Sequence, residues 1–421
     1  MKKKFDYTWV IVTLCFLMIF GALGFAMSNR SLYLAPITEA LGIKRSAFSL
    51  TDTFRNITMS VVSLCFSALI LKLGEKRLII IGLAGLIASV LMYAVATDIM
   101  LFYVGSILSG MGACLTGTTM AGSVVNRWCR KNQGTIMGIV LAGNGIGGAI
   151  AVQIVTPIIY EEGNPFGYRN AYFVVAGVLI VITLLILLFF RENPPENIWH
   201  GREPEKKQNS RQRWIGISFD EALRKPYFYM IAACLFLNGF ILQGVYGVIS
   251  AHMNDAGIDP AYAATVLSVL SVGMMGFNFL SGFMYDRLGL RVTMTVCYVA
   301  AVATFFCLLG LRDSGMGRVL AMMSGVLLSL ALPMETILIP ICVGDLFGQK
   351  NYHKLLGVLM AINTMGCACG TPVMNLFYDV TGSYRFALIF GGAVMLILTV
   401  VLQMTITASK QVRRESYEIV D

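Results

Sequence analysis

A few charged residues sit where charge is expensive. Asp52 and Arg55 fall inside the apolar run 46–71, Glu335 falls inside the run 316–345, and Arg30 closes the run 8–31. Charge in such surroundings needs a partner or a cavity. Arg55 follows Asp52 by three residues, so a helix sets both on one face within pairing reach. Arg55 could hook a negatively charged solute while Asp52 holds or releases it, or the two could form a closed pair that only stabilises the outer end of that segment. Glu335 comes just after Pro333. An ionised carboxylate is costly in apolar surroundings, so Glu335 could carry a proton and couple it to a solute, or simply hydrogen-bond a neighbouring helix. The amides Asn144, Asn238, Gln243, Asn278 and Asn363 also lie within apolar runs, where amides either bridge helices or line a cavity. His252, at the end of a run, reads as interfacial.

No nucleophile–base constellation, metal-ligand spacing or P-loop is present, which argues against an enzyme and against a bound cofactor or metal. Gly143-x-Gly145-x-Gly147-Gly148 has no preceding strand and lies inside an apolar run, so it reads as close helix contact rather than a nucleotide loop. The ten cysteines are scattered through apolar runs with no paired framework. They read as packed thiols.

The elements that position these residues follow from composition. The chain is 57% hydrophobic and 13% charged, which fits a membrane protein and not a soluble globule. Twelve runs are long enough to cross a bilayer: roughly 8–31, 46–71, 77–96, 100–126, 133–160, 168–190, 226–250, 261–285, 291–311, 316–345, 354–378 and 384–408. With the N-terminus inside, 24 of the 32 Lys and Arg fall on inside segments and seven outside, with Arg55 within a span. That imbalance places both termini in the cytoplasm, and Lys2, Lys3 and Lys4 read as a short cytoplasmic tail before a retained first helix. The net charge of +9 is then an orientation signal, not a nucleic-acid footprint. The one long polar segment, 191–225, follows the sixth run. It divides the chain into an N-terminal six-helix bundle (1–190), a cytoplasmic linker (191–225) and a C-terminal six-helix bundle (226–421). The linker could include a short amphipathic helix near Trp214–Leu223 or be a plain connector.

Repeats support two related halves. Gly282-Phe283-Met284-Tyr285-Asp286-Arg287-Leu288-Gly289-Leu290-Arg291 recurs in degraded form 215 residues earlier, where Leu73-Gly74 matches Leu288-Gly289 and Leu71 stands in place of Asp286. Gly42 matches Gly257 at the same offset, and Tyr168-Arg169 matches Tyr384-Arg385 at 216. Gly138-x3-Ala142-x-Asn144-x2-Gly147 matches Gly357-x3-Ala361-x-Asn363-x2-Gly366 at 219. Six helices per half keep the two repeats pointing the same way across the membrane, with a pseudo-two-fold axis along its normal.

These residues resemble the major facilitator superfamily, with Gly282–Arg291 standing where that superfamily carries its loop signature between the eighth and ninth helices. More narrowly, Asn126–Gly147, Asp6-Tyr7-Thr8-Trp9 and Gly370-Thr371-Pro372 with Tyr378–Tyr384 resemble motifs of the monocarboxylate transporter and oxalate/formate antiporter group. The resemblance implies an all-α membrane protein with twelve transmembrane helices in two six-helix pseudo-symmetric halves. It also implies a secondary transporter of a small organic anion, a mono- or dicarboxylate, moved by alternating access with proton coupling or anion exchange. Where relatives commonly carry a substrate-binding Arg in the eighth helix, this chain has Asn278, and Arg30 stands near their first-helix Lys.

The expected substrate-binding residues are Arg55, Arg30, Asn278, Asn363 and Asn144. Glu335, Asp52, Asp286, Arg287 and Arg291 are expected to serve proton coupling or gating, the last three as a cytoplasmic latch. The expected setting is a monomer in the plasma membrane, with the bilayer, a small solute and protons or a counter-anion as partners. Two other readings stay open: a carrier or exporter of a neutral or amphiphilic solute, which Asn278 favours, and a transport-silent sensor.

Overall fold

The computed structural model describes residues 7–129, 133–161, 164–192, 218–336, 338–347 and 352–418. Every regular element among them is helical. Among the described residues, eleven helices are long and apolar enough to cross a membrane. The remaining expected span, span two, is a continuous 29-residue helix, Arg45–Leu73. Apolar side chains such as Leu71 (87% exposed) and Phe279 (83% exposed) point outward, as lipid-facing residues do. Most of 191–225 lies outside the described residues. Its end forms a five-residue helix, Phe219–Leu223, capped reciprocally by Ser218 and Glu221.

Several spans are not single rods. Span one runs as Tyr7–Ile19, passes through a π-turn at Phe20–Phe25, and resumes as Ser31–Leu41 after a turn holding Arg30. Spans three and four are Glu75–Val95 and Ile99–Thr116, the latter continued by Thr118–Trp128. Spans five, six and seven are Gln133–Ile159, Gly167–Phe189 and Pro226–Asp255. Spans eight and nine form one run, Pro260–Leu309, bent at Gly289. Span ten is interrupted at Leu332, between Gly315–Ala331 and Pro333–Thr336, and Leu338–Phe347 follows; Pro333 supplies no backbone donor to the preceding turn. Spans eleven and twelve are Tyr352–Thr381 and Arg385–Glu418.

Two of the repeats recur in the backbone itself. Gly74 and Gly289 both have φ 79°, and Gly42 and Gly257 have φ 64° and 82°, each pair 215 residues apart. A side chain is strained in that left-handed region. Tyr168 and Tyr384 are likewise both buried, at 0% and 1% exposure.

By contact, the chain forms two compact units: Met1–Arg202 with Gly247–Met275, and Glu203–Tyr246 with Gly276–Asp421. This spatial grouping cuts through spans seven and eight. In the first unit, span one packs at the centre, with Ile11, Leu14, Met18 and Ile19 against Leu83, Val124, Trp128 and Ile182. Span five lies so close to span one that a methyl on Gly147 would sit 2.5 Å from the Phe20 carbonyl oxygen. The second unit repeats that contact: methyls on Gly366 and Gly370 would sit 2.1 Å from the Phe236 and Phe240 carbonyl oxygens.

Candidate functional site

The first unit gathers the expected cations around one acid. The π-turn and the following break in span one release the chain from α-helical register just before Arg30, a kind of irregularity that recurs at functional sites. Ser28 Oγ lies 3.1 Å from both the Leu23 carbonyl oxygen and Asn144 Oδ1, which ties the break to span five. Arg30 pairs with Asp52, and Asp52 Oδ1 lies 3.3 Å from Arg55 Nη1. Arg55 Nη2 also donates to Asn56 Oδ1 at 3.4 Å. The side chains of Arg30, Asp52 and Arg55 retain 27%, 15% and 14% exposure, so the cluster is recessed but not sealed. One carboxylate between two guanidiniums leaves these three residues with a net charge of +1. Two guanidiniums so placed can make charge-assisted hydrogen bonds to a carboxylate.

The second unit holds Glu335, Asn278 and Asn363. Glu335 sits three residues after the interruption at Leu332 in span ten and accepts a 2.8 Å hydrogen bond from Gln243 Nε2 through Oε2. The backbone oxygen of Gln243 in turn accepts from Thr371 Oγ1 at 3.1 Å. Glu335 and Asn363 are 8% and 4% exposed. Asn363 Nδ2 is 3.7 Å from Cys367 Sγ. Asn278 lies on span eight, where its backbone oxygen accepts from Ser281 Oγ at 2.9 Å. The side chain of Asp286 lies outside the described residues. Of its neighbours in the expected latch, the Arg287 guanidinium lies 4.6 Å over the Phe283 ring, and Arg291 Nε donates to Gln403 Oε1 at 2.5 Å.

Sequence reasoning missed two charged contacts. Arg45, counted only as an outer basic residue, chelates Asp255 with bonds of 2.6 and 2.9 Å. Partners 210 residues apart leave no mark in a single sequence. Glu75, inside the degraded loop repeat, is fully buried; it accepts from Ser123 at 2.5 Å and lies 3.4 Å from Arg127. Its position at the first turn of span three, beside the recognised Gly74, was the available signal. In the first unit a cleft of about 820 Å³ runs between Pro36, Glu39, Tyr160, Asn254 and Asp259. Among the described residues no group of His, Cys, Asp and Glu could hold a metal ion.

Known proteins align over most of the chain. Monocarboxylate transporter 12 of Xenopus laevis is 23% identical over 337 residues, covering 76% of this chain and 72% of that protein. Monocarboxylate transporter 13 of Bos taurus is 25% identical over 340 residues, covering 78% and 73%. Among solved structures, the nucleoside transporter NupG superposes with a TM-score of 0.75 at 15% identity over 95% of this chain and 99% of its own. An inward-facing, occupied bacterial homologue of the human lysosomal transporter Spinster superposes with a TM-score of 0.67 at 13% identity, covering 97% and 98%. At such identities these two likenesses establish the fold. The family model described as Major Facilitator Superfamily matches residues 11–339 and 231–418, and with the twelve-helix, two-half architecture above, the chain belongs to that superfamily of transporters.

Proposed function

We propose that the protein is a secondary transporter of a small organic anion, a mono- or dicarboxylate, that works by alternating access of two six-helix halves (1–190 and 226–421) joined by the 191–225 linker. The observation that carries this reading is the sharing of Asp52 between Arg30 and Arg55. The solute carboxylate takes the place of Asp52 on the two guanidiniums. Asn144 holds the break in span one next to Arg30, and Asn278 and Asn363 supply neutral polar contacts in the C-terminal half. Glu335 is the coupling carboxyl, neutralised by a proton during the cycle. The Asp286–Arg287–Arg291 loop biases the inward–outward equilibrium from the cytoplasmic side, in a plasma-membrane protein with both termini inside. The names of the monocarboxylate transporters support the carboxylate assignment.

The test is uptake of labelled lactate, pyruvate and oxalate into proteoliposomes, with and without a pH gradient. Under this reading at least one acid accumulates and Arg55→Gln abolishes its uptake. Uptake that survives Arg55→Gln, or none of any carboxylate by a folded protein, overturns it. The second reading, a neutral or amphiphilic solute, draws on Asn278 and predicts transport indifferent to that substitution.

A further inference from the structure

The cleft of the first unit has a lining whose chemistry is the reverse of the Arg30–Asp52–Arg55 cluster. At about 820 Å³ it is of the size that takes a small organic molecule. Its walls are the end of the helix Ser31–Leu41, the turn after span five, and the junction of spans seven and eight. Pro36, Pro165 and Pro260 give these walls apolar surface with no backbone donor to offer. Glu39, Glu161 and Asp259 line the same space, and no Lys, Arg or His does. Arg45, 3.8 Å from Glu39, is committed to Asp255. The lining amides already direct donors at partners within the cleft wall: Asn254 Nδ2 donates to Tyr160 Oη at 2.6 Å, and Asn164 Nδ2 to Glu161 Oε2 at 3.2 Å. Asn254 Oδ1 is left buried with no hydrogen-bond partner.

We propose that this cleft binds an organic ammonium with an apolar body, at a second site apart from the cluster that the carboxylate reading uses. An acceptor-rich, negatively charged lining calls for a group that only donates, and an ammonium brings donors alone. The hydrocarbon part covers the proline faces, whose burial favours binding. Among the described residues no group of His, Cys, Asp and Glu could hold a metal ion, so the occupant is organic. The same three acids repel a carboxylate, so it is not the solute proposed above. The two sites also stand apart along one element: Arg30 caps the helix Ser31–Leu41, and Pro36 lies about 9 Å beyond it along the axis. The Glu39 side chain is 73% exposed, and one exposed ion pair alone changes binding by about fivefold at most. Selectivity for the ammonium therefore needs the acids together, in a space that also holds the apolar body.

The experiment titrates the purified full-length protein at neutral pH by thermal shift with short-chain phenylalkylamines. Each is matched to the alcohol and the carboxylic acid of the same length. At one length the amine raises the midpoint saturably and binds about tenfold or more tighter than its alcohol, while the acid gains nothing from the cleft. The double variant Glu39→Gln with Asp259→Asn lowers amine affinity by about threefold to tenfold. Ala40→Phe, which fills the cleft, lowers it as well and serves should the charge variants fail to fold. Asp52→Asn leaves it unchanged, which separates this site from the Arg30 cluster. No saturable shift with any amine up to about 10 mM, an equal response to the alcohol, or an affinity that survives the cleft variants and falls with Asp52→Asn overturns the proposal. Binding is read here without transport, so the two readings fail separately. Carboxylate uptake that depends on Arg55, with no amine binding, sinks this proposal alone; amine binding in a protein that carries no carboxylate sinks only the other.

Discussion

Arg45 holds Asp255 in a two-bond clasp, Nη1 to Oδ2 at 2.6 Å and Nη2 to Oδ1 at 2.9 Å, joining the first residue of span two to the last of span seven. The arginine side chain is 8% exposed and the aspartate 27%. Two further contacts run alongside: Asn254 Nδ2 to Tyr160 Oη at 2.6 Å, and Gln153 Nε2 to Ser268 Oγ at 3.0 Å. Together they explain why residues 247–275 group with the first six spans. Loss of one partner strands the other charge. Asp255→Asn should therefore destabilise the protein by about 1–3 kcal/mol, below the fully buried figure because the acid is partly solvated. The check is the thermal midpoint in detergent. The charge-swapped pair Arg45→Asp with Asp255→Arg should recover part of the loss, and an unchanged midpoint for the single substitution would refute the clasp.

Asp52 competes with the proposed cargo. Asp52→Asn removes the acid that both guanidiniums share, so carboxylates should bind about three- to tenfold more tightly while turnover slows, because the empty carrier no longer neutralises its own cations. Tighter binding with lower maximal uptake is the expected pattern in proteoliposomes. Weaker binding would mean that Asp52 contacts the solute directly.

The glycines of span five should differ sharply in tolerance. A methyl on Gly147 meets the Phe20 backbone at 2.5 Å, whereas a methyl on Gly138 has nothing within 4 Å. Gly147→Ala should cost about 1–3 kcal/mol through overpacking, and Gly138→Ala should be neutral or slightly stabilising. Equal midpoints for the two variants would count against the close packing of spans one and five.

Tyr160 lies in the turn after span five, and burial pushes its phenol up to about 12, partly offset by the Asn254 hydrogen bond. The folded value exceeds the ordinary one near 10, so its stabilising contribution is complete below pH ~10 and fades as pH rises toward 12. Between pH 6 and 9 the Asn254–Tyr160 contact should be constant. Tyr160→Phe should cost about 1 kcal/mol and leave the pH profile of uptake in that window unchanged, which a transport assay at stepped pH measures.

The fold was readable because bilayer physics writes it into composition: twelve apolar runs and a basic imbalance between faces suffice. The glycine pairs at an offset of 215 were also readable, since a left-handed turn admits little else. The repeat in spans five and eleven was legible only to within a turn. Matching the motif pairs Gly147 with Gly366, yet packing pairs Gly143 and Gly147, against Phe16 and Phe20, with Gly366 and Gly370, against Phe236 and Phe240. That is an offset of 223 instead of 219. A slip of four residues keeps the same helix face, so a small-residue stripe looks alike in both registers.

At the site, the Asp52–Arg55 pair followed from spacing alone. The arrival of Arg30 on the same acid did not, because it depends on a π-turn that no residue type announces. The interruption at Leu332 was signalled by Pro333, but the surroundings of Glu335 depend on Gln243 of span seven, which no local signal announces.

The matching φ of Gly74 and Gly289 has a consequence for how this molecule came to be. Leu71 and Asp286 have parted company in chemistry, one oily and one acidic, while the bend three residues downstream has kept its shape in both copies. Ancestry here is stored in the path of the main chain, and the side chains hung on it have been free to specialise.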